Sequence, residues 1–430
     1  MTQTELSTNN IFEHMRVAMA EETRDGTLSR AEFLKAGVAA AAAITTSTVG
    51  AEATAGGRKM GSKKIRIGVV GGGFGSDFFW HQDPNCIVQA VSDLIPERRA
   101  LLQRVYACST AYESLEKLIL DKDVDAVAVF TGAPDHVRHA VACLHAGKHV
   151  ISAVPACMSL AEAELLHATV KMTGLTYMMA ETSWYHQSVI TARQWYRDGK
   201  FGKIFHTEAE YHHPGLEVLF HDAQGKRTWR YGLAPMNYPT HCTAFLHGVT
   251  GEHLTHVSSI GYRGEEQHWK DNVYNNPFSN ETAFFTTDQG HSFRVGVYWA
   301  AAVGGTERGQ WFGDKMSFFD GTPNGLGPVV RRAGTQIEKD DAGFARMLAE
   351  FEQYNQPKWW QTEMLPEPMR HDSGHDGSHT FLTHEFIDAL SNGRHPAVGI
   401  NEALNLTVPG IVAHESSLAG GVQKRIPVFR

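Results

Sequence analysis

One stretch restricts the fold of this chain more than any other. Ile65 to Val70 alternates β-branched residues with others, then breaks at three glycines, Gly71 to Gly73, ahead of Phe74 and Gly75. A strand that ends this way turns tightly, and a second glycine in the turn lets another group approach the backbone. Gly71 and Gly73 fill the first two positions of a Gly-x-Gly-x-x-Gly pattern. Ser76 stands at the third, small enough for helix–strand packing, and the chain is expected to enter a helix here. A second strand, 87–93, ends in Asp93, 22 residues after Gly71. A carboxylate at that distance meets the ribose hydroxyls of a bound dinucleotide.

The rhythm that follows supports this reading. A helix is expected over 96–106, then a strand 124–130, a helix 135–146, a strand 149–152, a helix 159–173 and a strand 175–180. Strands alternating with helices give an α/β, doubly wound parallel sheet, the Rossmann arrangement. The turn residues Gly71, Gly73, Phe74 and Gly75, with Asp93, are the expected cofactor contacts. Asp93 would repel a 2′-phosphate, so NAD is favoured over NADP, although Arg98 and Arg99 follow closely.

From about residue 184 the pattern changes to alternating strands, at 203–213, 254–262, 281–287, 292–299 and 310–319. In the fourth, Phe293, Val295, Val297 and Trp299 alternate with Ser292, Arg294, Gly296 and Tyr298. That suits an open, mostly antiparallel sheet with one covered face. Asp288-Gln289-Gly290 marks a hairpin. The expected organisation is a tail at 1–60, a dinucleotide-binding domain at 61–183 and an α+β substrate and oligomerisation domain at 184–430.

Bulk properties exclude several roles. The net charge of −8 argues against nucleic acid or an anionic membrane as partner. No apolar run approaches the length of a transmembrane helix. The 5 cysteines form no Cys-x-x-Cys pair and read as reduced structural thiols. Residues 28–53 have a basic start, an Ala-rich run and small residues at Ala51 and Ala53, the layout of an export signal. Ser29-Arg30-Ala31-Glu32-Phe33-Leu34-Lys35 resembles a twin-arginine motif with Ala31 at the second arginine. The expectation is periplasmic or exported, with a disordered tail on a cytoplasmic protein as the alternative.

Residues 131–155 resemble the Gfo/Idh/MocA family, mostly NAD(P)-dependent sugar and inositol oxidoreductases. The likeness runs through Thr131, His139, Ala140 and Gly147-Lys148-His149-Val150. It implies cofactor contacts at Thr131, Ala133, His136, Ala153 and Pro155. It implies a carbohydrate substrate, and an open sheet whose exposed face turns toward the nicotinamide or pairs with a second copy. Where many members carry Glu-Lys-Pro, this chain has Ala153-Val154-Pro155. Where they carry Asp-x-x-x-His, it has Asn237 and His241. Tyr238-Pro239-Thr240-His241 instead resembles the NAD-dependent α-N-acetylgalactosaminidase branch, in which this Tyr and His contact the sugar.

A base must take the hydroxyl proton when a carbinol carbon loses hydride. Val154 cannot. His241 assisted by Tyr238, and His379, are the expected catalytic residues. His371, His375 and His379 are spaced like a metal stripe, but Gly374 and Gly377 interrupt it. A Gly/His-rich loop bordering the pocket is expected, with no metal and with His375 at the substrate. Trp184 and Tyr185, just past the last parallel strand beside Glu181, and Arg294 and Tyr298 on the polar sheet face, are further substrate candidates. Three readings result: a sugar oxidoreductase, a glycosidase that oxidises its substrate transiently, and a non-catalytic sugar- or NAD-binding protein.

Overall fold

The computed structural model describes residues 64–304, 306–321, 326–333, 337–339, 341–343, 345–347 and 351–430. The expected export segment, 1–60, lies outside them. Six parallel strands form the first sheet: β1 (Ile65–Val70), β2 (Cys86–Ser92), β3 (Ala111–Tyr112), β4 (Ala126–Val129), β5 (His149–Ser152) and β6 (Tyr177–Met179). Their order is β3-β2-β1-β4-β5-β6. It reverses direction between β1 and β4, which opens a crevice at the carboxyl ends of those strands. β4 and β5 are buried at every position, as strands covered on both faces must be.

The helices α1 (Pro96–Val105), α2 (His136–His145) and α3 (Leu160–Thr173) flank this sheet. Val137, Ala140, Val141 and Leu144 line the buried stripe of α2. Ser159 caps α3 by accepting a bond from the Glu162 amide, a contact typically worth about 1 kcal/mol. The helix expected after the glycine turn is replaced by two 3-10 turns, Phe74–Asp77 and Trp80–Gln82. Phe79 between them is left-handed at φ 54°. The break lets Phe78 and Trp80 both go fully inside.

The second sheet has nine strands. Its central run is β7 (Ile204–His212), β8 (Leu254–Arg263), β9 (Phe278–Thr287), β10 (Ser292–Tyr298), β11 (Thr306–Gly313), β12 (Met316–Phe319) and β13 (Val329–Arg332). Glu352–Gln353 and Lys424–Arg425 extend the edges, giving the order 352–353, β13, β12, β11, β7, β10, β9, β8, 424–425. All pairings in it are antiparallel except β7 with β10. The single strand expected over 310–319 is instead the β11–β12 hairpin, because Asp314 and Lys315 turn the chain back on Phe201 and Lys203.

Strand alternation separates two faces. Val297 and Glu307 sit opposite Tyr211 in the ladder, so these three point one way. Arg294 sits opposite Glu208 and Tyr298 opposite His212, so these point the other way. The helix α5 (Thr240–Thr250) packs on the first face, and the Trp311 indole donates to its Phe245 carbonyl. The helix α7 (Ile400–Leu418) packs against β8, α3 and α5, tying the two sheets together. All five cysteines are free and buried.

Candidate functional site

Three segments far apart in sequence converge at the carboxyl end of β6. Glu181 follows β6, His241 lies in the first turn of α5, and Glu307 is on β11. His241 Nδ1 is 2.8 Å from Glu181 Oε1 and 4.0 Å from Glu307 Oε2. The Ser183 amide donates to Glu181 Oε1, and the Ser183 hydroxyl donates to Glu307 at 2.8 Å. Glu181 Oε2 is buried and has no hydrogen-bond partner.

The electrostatics follow from this packing. Burial pushes the His241 imidazolium down, but Glu181 and Glu307 more than reverse it and hold it up to about 9. His241 is therefore protonated at neutral pH. Burial pushes the Glu307 carboxyl up, while His241, His186 and His375 pull it below its ordinary range. Tyr238 lies beside His241 with ring centroids 5.3 Å apart, and burial keeps its phenol protonated above the usual range.

A cavity of about 410 Å³ opens beside this cluster, lined by His186, Tyr211, His212, His213, Pro214, Glu307, His375 and Asp376. Its volume suits a monosaccharide-sized ligand. His375 and Asp376 enter it from the amino end of α6 (Gly374–Asn392), where both adopt left-handed backbone, φ 52° and 56°. His375 Nδ1 lies 2.8 Å from His379 Nε2, and His379 Nδ1 lies 2.8 Å from the Asp77 carbonyl oxygen. His379 thus backs His375, and His375 lines the cavity. His371 pairs with Gln82 instead, so the three histidines do not share one ligand site.

The other substrate candidates fall elsewhere. Tyr185 stacks flat on Phe381, 5.2 Å between centroids, and Trp184 lies under the Arg193 guanidinium. Both are buried packing groups, and neither lines the cavity. Arg294 is held by Glu208 at 2.6 Å and Glu210 at 2.9 Å. It lies on the sheet face away from His241. Tyr298 shares that face and meets the cavity only through His212, on which it stacks. His212 of that face lines the cavity beside Tyr211 and Glu307 of the face that α5 covers.

Three residues absent from the sequence reading belong here. Glu307 and Tyr211 arrive on adjacent strands, and their only signal is an inward position in an alternating pattern. Arg230 stacks on Trp229, 4.2 Å to the ring centroid, and lies 6.0 Å from the Tyr238 ring. The Trp229 indole in turn covers Gly132, where a Cβ would stand 2.8 Å from it. Arg230 thus overhangs the loop that follows β4.

The crevice of the parallel sheet fits a dinucleotide. Gly71 has φ +100°, and a Cβ there would meet the Phe130 carbonyl oxygen at 2.2 Å. A Cβ on Gly73 would meet nothing within 4 Å, which leaves the outer side of the turn open. Asp93 Oδ2 accepts from the Gly72 amide at 2.6 Å and Oδ1 from the Ile95 amide at 2.8 Å. The carboxylate is thereby fixed at the end of β2. Thr131, Ala133, Ala153 and Pro155 sit just past the ends of β4 and β5, on the other side of β1 from Asp93. His136 is different. Its two ring nitrogens bind the Pro155 and Thr131 carbonyls at 2.8 and 3.0 Å, so it braces those two loops.

Comparisons with known proteins agree with this fold. The model of the oxidoreductase family with an NAD-binding Rossmann fold matches residues 65–181. A glycosyl hydrolase family 109 protein of Solibacter usitatus is 24% identical over 85% of this chain and 88% of its own length. An alpha-N-acetylgalactosaminidase of Shewanella oneidensis is 21% identical over 90% of this chain and 93% of its own. A levoglucosan dehydrogenase solved with NADH and L-sorbose superposes with a TM-score of 0.66 at 16% identity, over 85% of this chain and all of that one. No helix among the described residues is long and apolar enough to cross a membrane. Residues 65–181 of this chain thus match the Gfo/Idh/MocA oxidoreductase family over its NAD-binding Rossmann fold.

Proposed function

We propose that the protein is an NAD-dependent enzyme acting on a secondary hydroxyl of a sugar or sugar derivative in the cavity beside His241. One observation carries this reading. A protonated histidine clamped by Glu181 and Glu307 lies 6.5 Å, ring to ring, from a neutral His375; Glu307 and His375 both line the cavity, and Phe74 of the glycine turn packs on His375. When bound, the nicotinamide supplies a hydride acceptor for oxidation of a carbinol carbon. Gly71, Gly73, Phe74 and Gly75 would hold the pyrophosphate side, Asp93 the adenosine ribose, and Thr131, Ala133, Ala153 and Pro155 the nicotinamide side. His241 donates a hydrogen bond to the reacting oxygen and stabilises negative charge there, with Tyr238 beside it.

A second reading, NAD-dependent glycoside hydrolysis, has its own support. The two relatives matched over most of both chains carry glycosidase names. Val154 also leaves the end of β5 without an acid or base, and no Lys lines the cavity. Under it, transient oxidation precedes elimination of the aglycone and addition of water, with no net consumption of cofactor. The experiment is direct. Nicotinamide released from denatured protein is quantified, then free sugars with NAD and a panel of aryl glycosides are offered. NADH accumulation supports the oxidoreductase. Aryl alcohol release without it supports the glycosidase. Neither, with no cofactor retained, rejects both.

Two further properties belong to the same proposal. Ile260, Tyr262 and Phe284 are exposed on the outer sheet face, and pairing of two such faces makes a homodimer, checked by light scattering of wild type and Phe284→Glu. Residues 1–60 direct export, checked by fusing them to a reporter with Arg30 intact or changed to Lys.

A further inference from the structure

The hydrogen bonds around His375 dictate which of its nitrogens carries the proton. A carbonyl oxygen only accepts, so His379 Nδ1, 2.8 Å from the Asp77 carbonyl, carries a hydrogen. Burial pushes His379 down to about 4, and its neighbour His375 pushes the same way. His379 is neutral, and its Nε2 is a lone pair. His375 Nδ1, 2.8 Å from that lone pair, must donate. Burial also lowers His375, although Glu307 and Glu181 oppose it while His241 and His186 reinforce it. A neutral His375 that donates from Nδ1 has a bare lone pair on Nε2. That nitrogen has no hydrogen-bond partner among the described residues, and His375 lines the cavity.

The backbone is built to hold this arrangement. His375, Asp376 and Gly377 are three consecutive left-handed residues, φ 52°, 56° and 83°. Two of them are not glycine, and such strained backbone persists only where the surroundings enforce it. The flanking glycines are required. A Cβ on Gly374 would stand 2.3 Å from His379 Cε1, and one on Gly377 would stand 2.1 Å from Trp360 Cδ1. Phe74 of the glycine turn packs edge-on against both rings, at 5.8 Å and 5.3 Å. Phe78 stacks on His379 at 4.5 Å. The His241 and His375 rings lie nearly parallel, 6.5 Å apart at 20°.

We propose that His375 is the catalytic base, accepting a substrate hydroxyl proton on Nε2, and that His379 is a positioning residue that fixes its tautomer through the Asp77 carbonyl. This rests on the functional reading above. The O–H bond of the substrate breaks and its proton goes to Nε2, while the oxygen keeps the electron pair and is met by the His241 imidazolium. Two histidines with opposite protonation thus lie 6.5 Å apart, His375 on the cavity wall and His241 clamped to Glu307, which lines the same cavity, a division that environment alone sets. Because Asp77 belongs to the turn after Gly73, the base is tethered to the dinucleotide-binding segment.

Imidazole-nitrogen NMR of the cofactor-free protein tests the tautomer directly. His375 is expected as the Nδ1–H form; an Nε2–H form overturns the proposal. His375→Ala should lower kcat by roughly 10²–10⁴-fold with nicotinamide retention unchanged. His379→Leu should lower kcat at least about tenfold, and His379→Gln, whose amide donates to Asp77 and accepts from His375, should recover most of it. Equal loss in both His379 variants overturns the positioning role. Wild type that turns over while His375→Ala is unimpaired overturns the base alone. Wild type without turnover on either substrate panel overturns the functional reading and the base with it.

Discussion

His241 Nδ1 lies 2.8 Å from Glu181 Oε1, and neither side chain is more than 5% exposed. The pair joins the end of β6 to the first turn of α5, so one contact holds both the chemistry and the junction of the two sheets. Asn237, in the turn before His241, offers no carboxylate, and Glu181 brings one to this histidine from 60 residues earlier in the chain.

Glu181→Gln should therefore change the pH dependence of stability. His241 is raised on folding from 6.5 to about 9. Its contribution is complete below about pH 6.5 and lost as the pH rises through about 9. For such a shift the contribution is on the order of 3 kcal/mol. Wild type should lose thermal stability across that alkaline window, and Glu181→Gln should be less stable at pH 6 with a flatter profile. A variant whose melting temperature follows the wild-type profile throughout would show that Glu181 does not hold the proton.

Asp93→Asn tests the cofactor assignment. The amide preserves the shape of the carboxylate, but its NH2 cannot accept, so one of the two bonds from the Gly72 and Ile95 amides is lost, and the charge that repels a 2′-phosphate is removed. NAD affinity should fall about tenfold, roughly 1.4 kcal/mol, and the preference over NADP should narrow. Calorimetric titration with both cofactors measures this. Unchanged discrimination would place the ribose elsewhere.

The two faces of the second sheet should behave differently. Glu307→Gln removes a carboxylate that faces His241 and should cut turnover about tenfold or more, since part of the charge that keeps His241 protonated is gone. Arg294→Leu, on the other face, should leave turnover within about twofold. It should cost about 1–3 kcal/mol of stability, because Glu208 and Glu210 lose a partly buried partner. Paired kinetics and urea unfolding separate the two. Loss of turnover in Arg294→Leu with stability intact would return that face to the site.

Most of the parallel sheet was legible because its signals are local. β5 falls on the expected residues, and α1, α2 and α3 end within one residue of expectation. The glycine turn was legible, but its helix was not, since nothing local announces that Phe78 and Trp80 will both seek the core and force Phe79 left-handed. In β10 the alternation was plain and put Arg294 and Tyr298 together on the polar face, but it does not say which face α5 will cover. His241 and His375 were visible as residues. Their protonation was not, because it depends on Glu181, 60 residues before His241, on Glu307, 66 after it, and on a carbonyl at Asp77. No spacing rule reaches that far.

Arg230 offers the last test, because its polar side-chain neighbour is the Tyr238 phenol, which leaves its charge unneutralised. No carboxylate lies within ion-pair distance of it among the described residues; its neighbours are the Trp229 indole and Tyr238, to which its side chain also hydrogen-bonds. A guanidinium stacked on an indole is oriented without being neutralised, and this one overhangs the loop after β4. It is placed to donate to ligand oxygens, and hydrogen bonds from charged groups are worth about 1.5–3 kcal/mol. Arg230→Met should raise KM roughly 10–100-fold with a smaller change in kcat. It should leave stability nearly unchanged, because no buried acid loses its partner. Arg230→Lys should recover only part of the affinity, since a lysine keeps the charge but not the planar fork. A variant that unfolds, or one with a wild-type KM, would show that Arg230 serves the packing of Trp229 on Gly132 instead of the ligand.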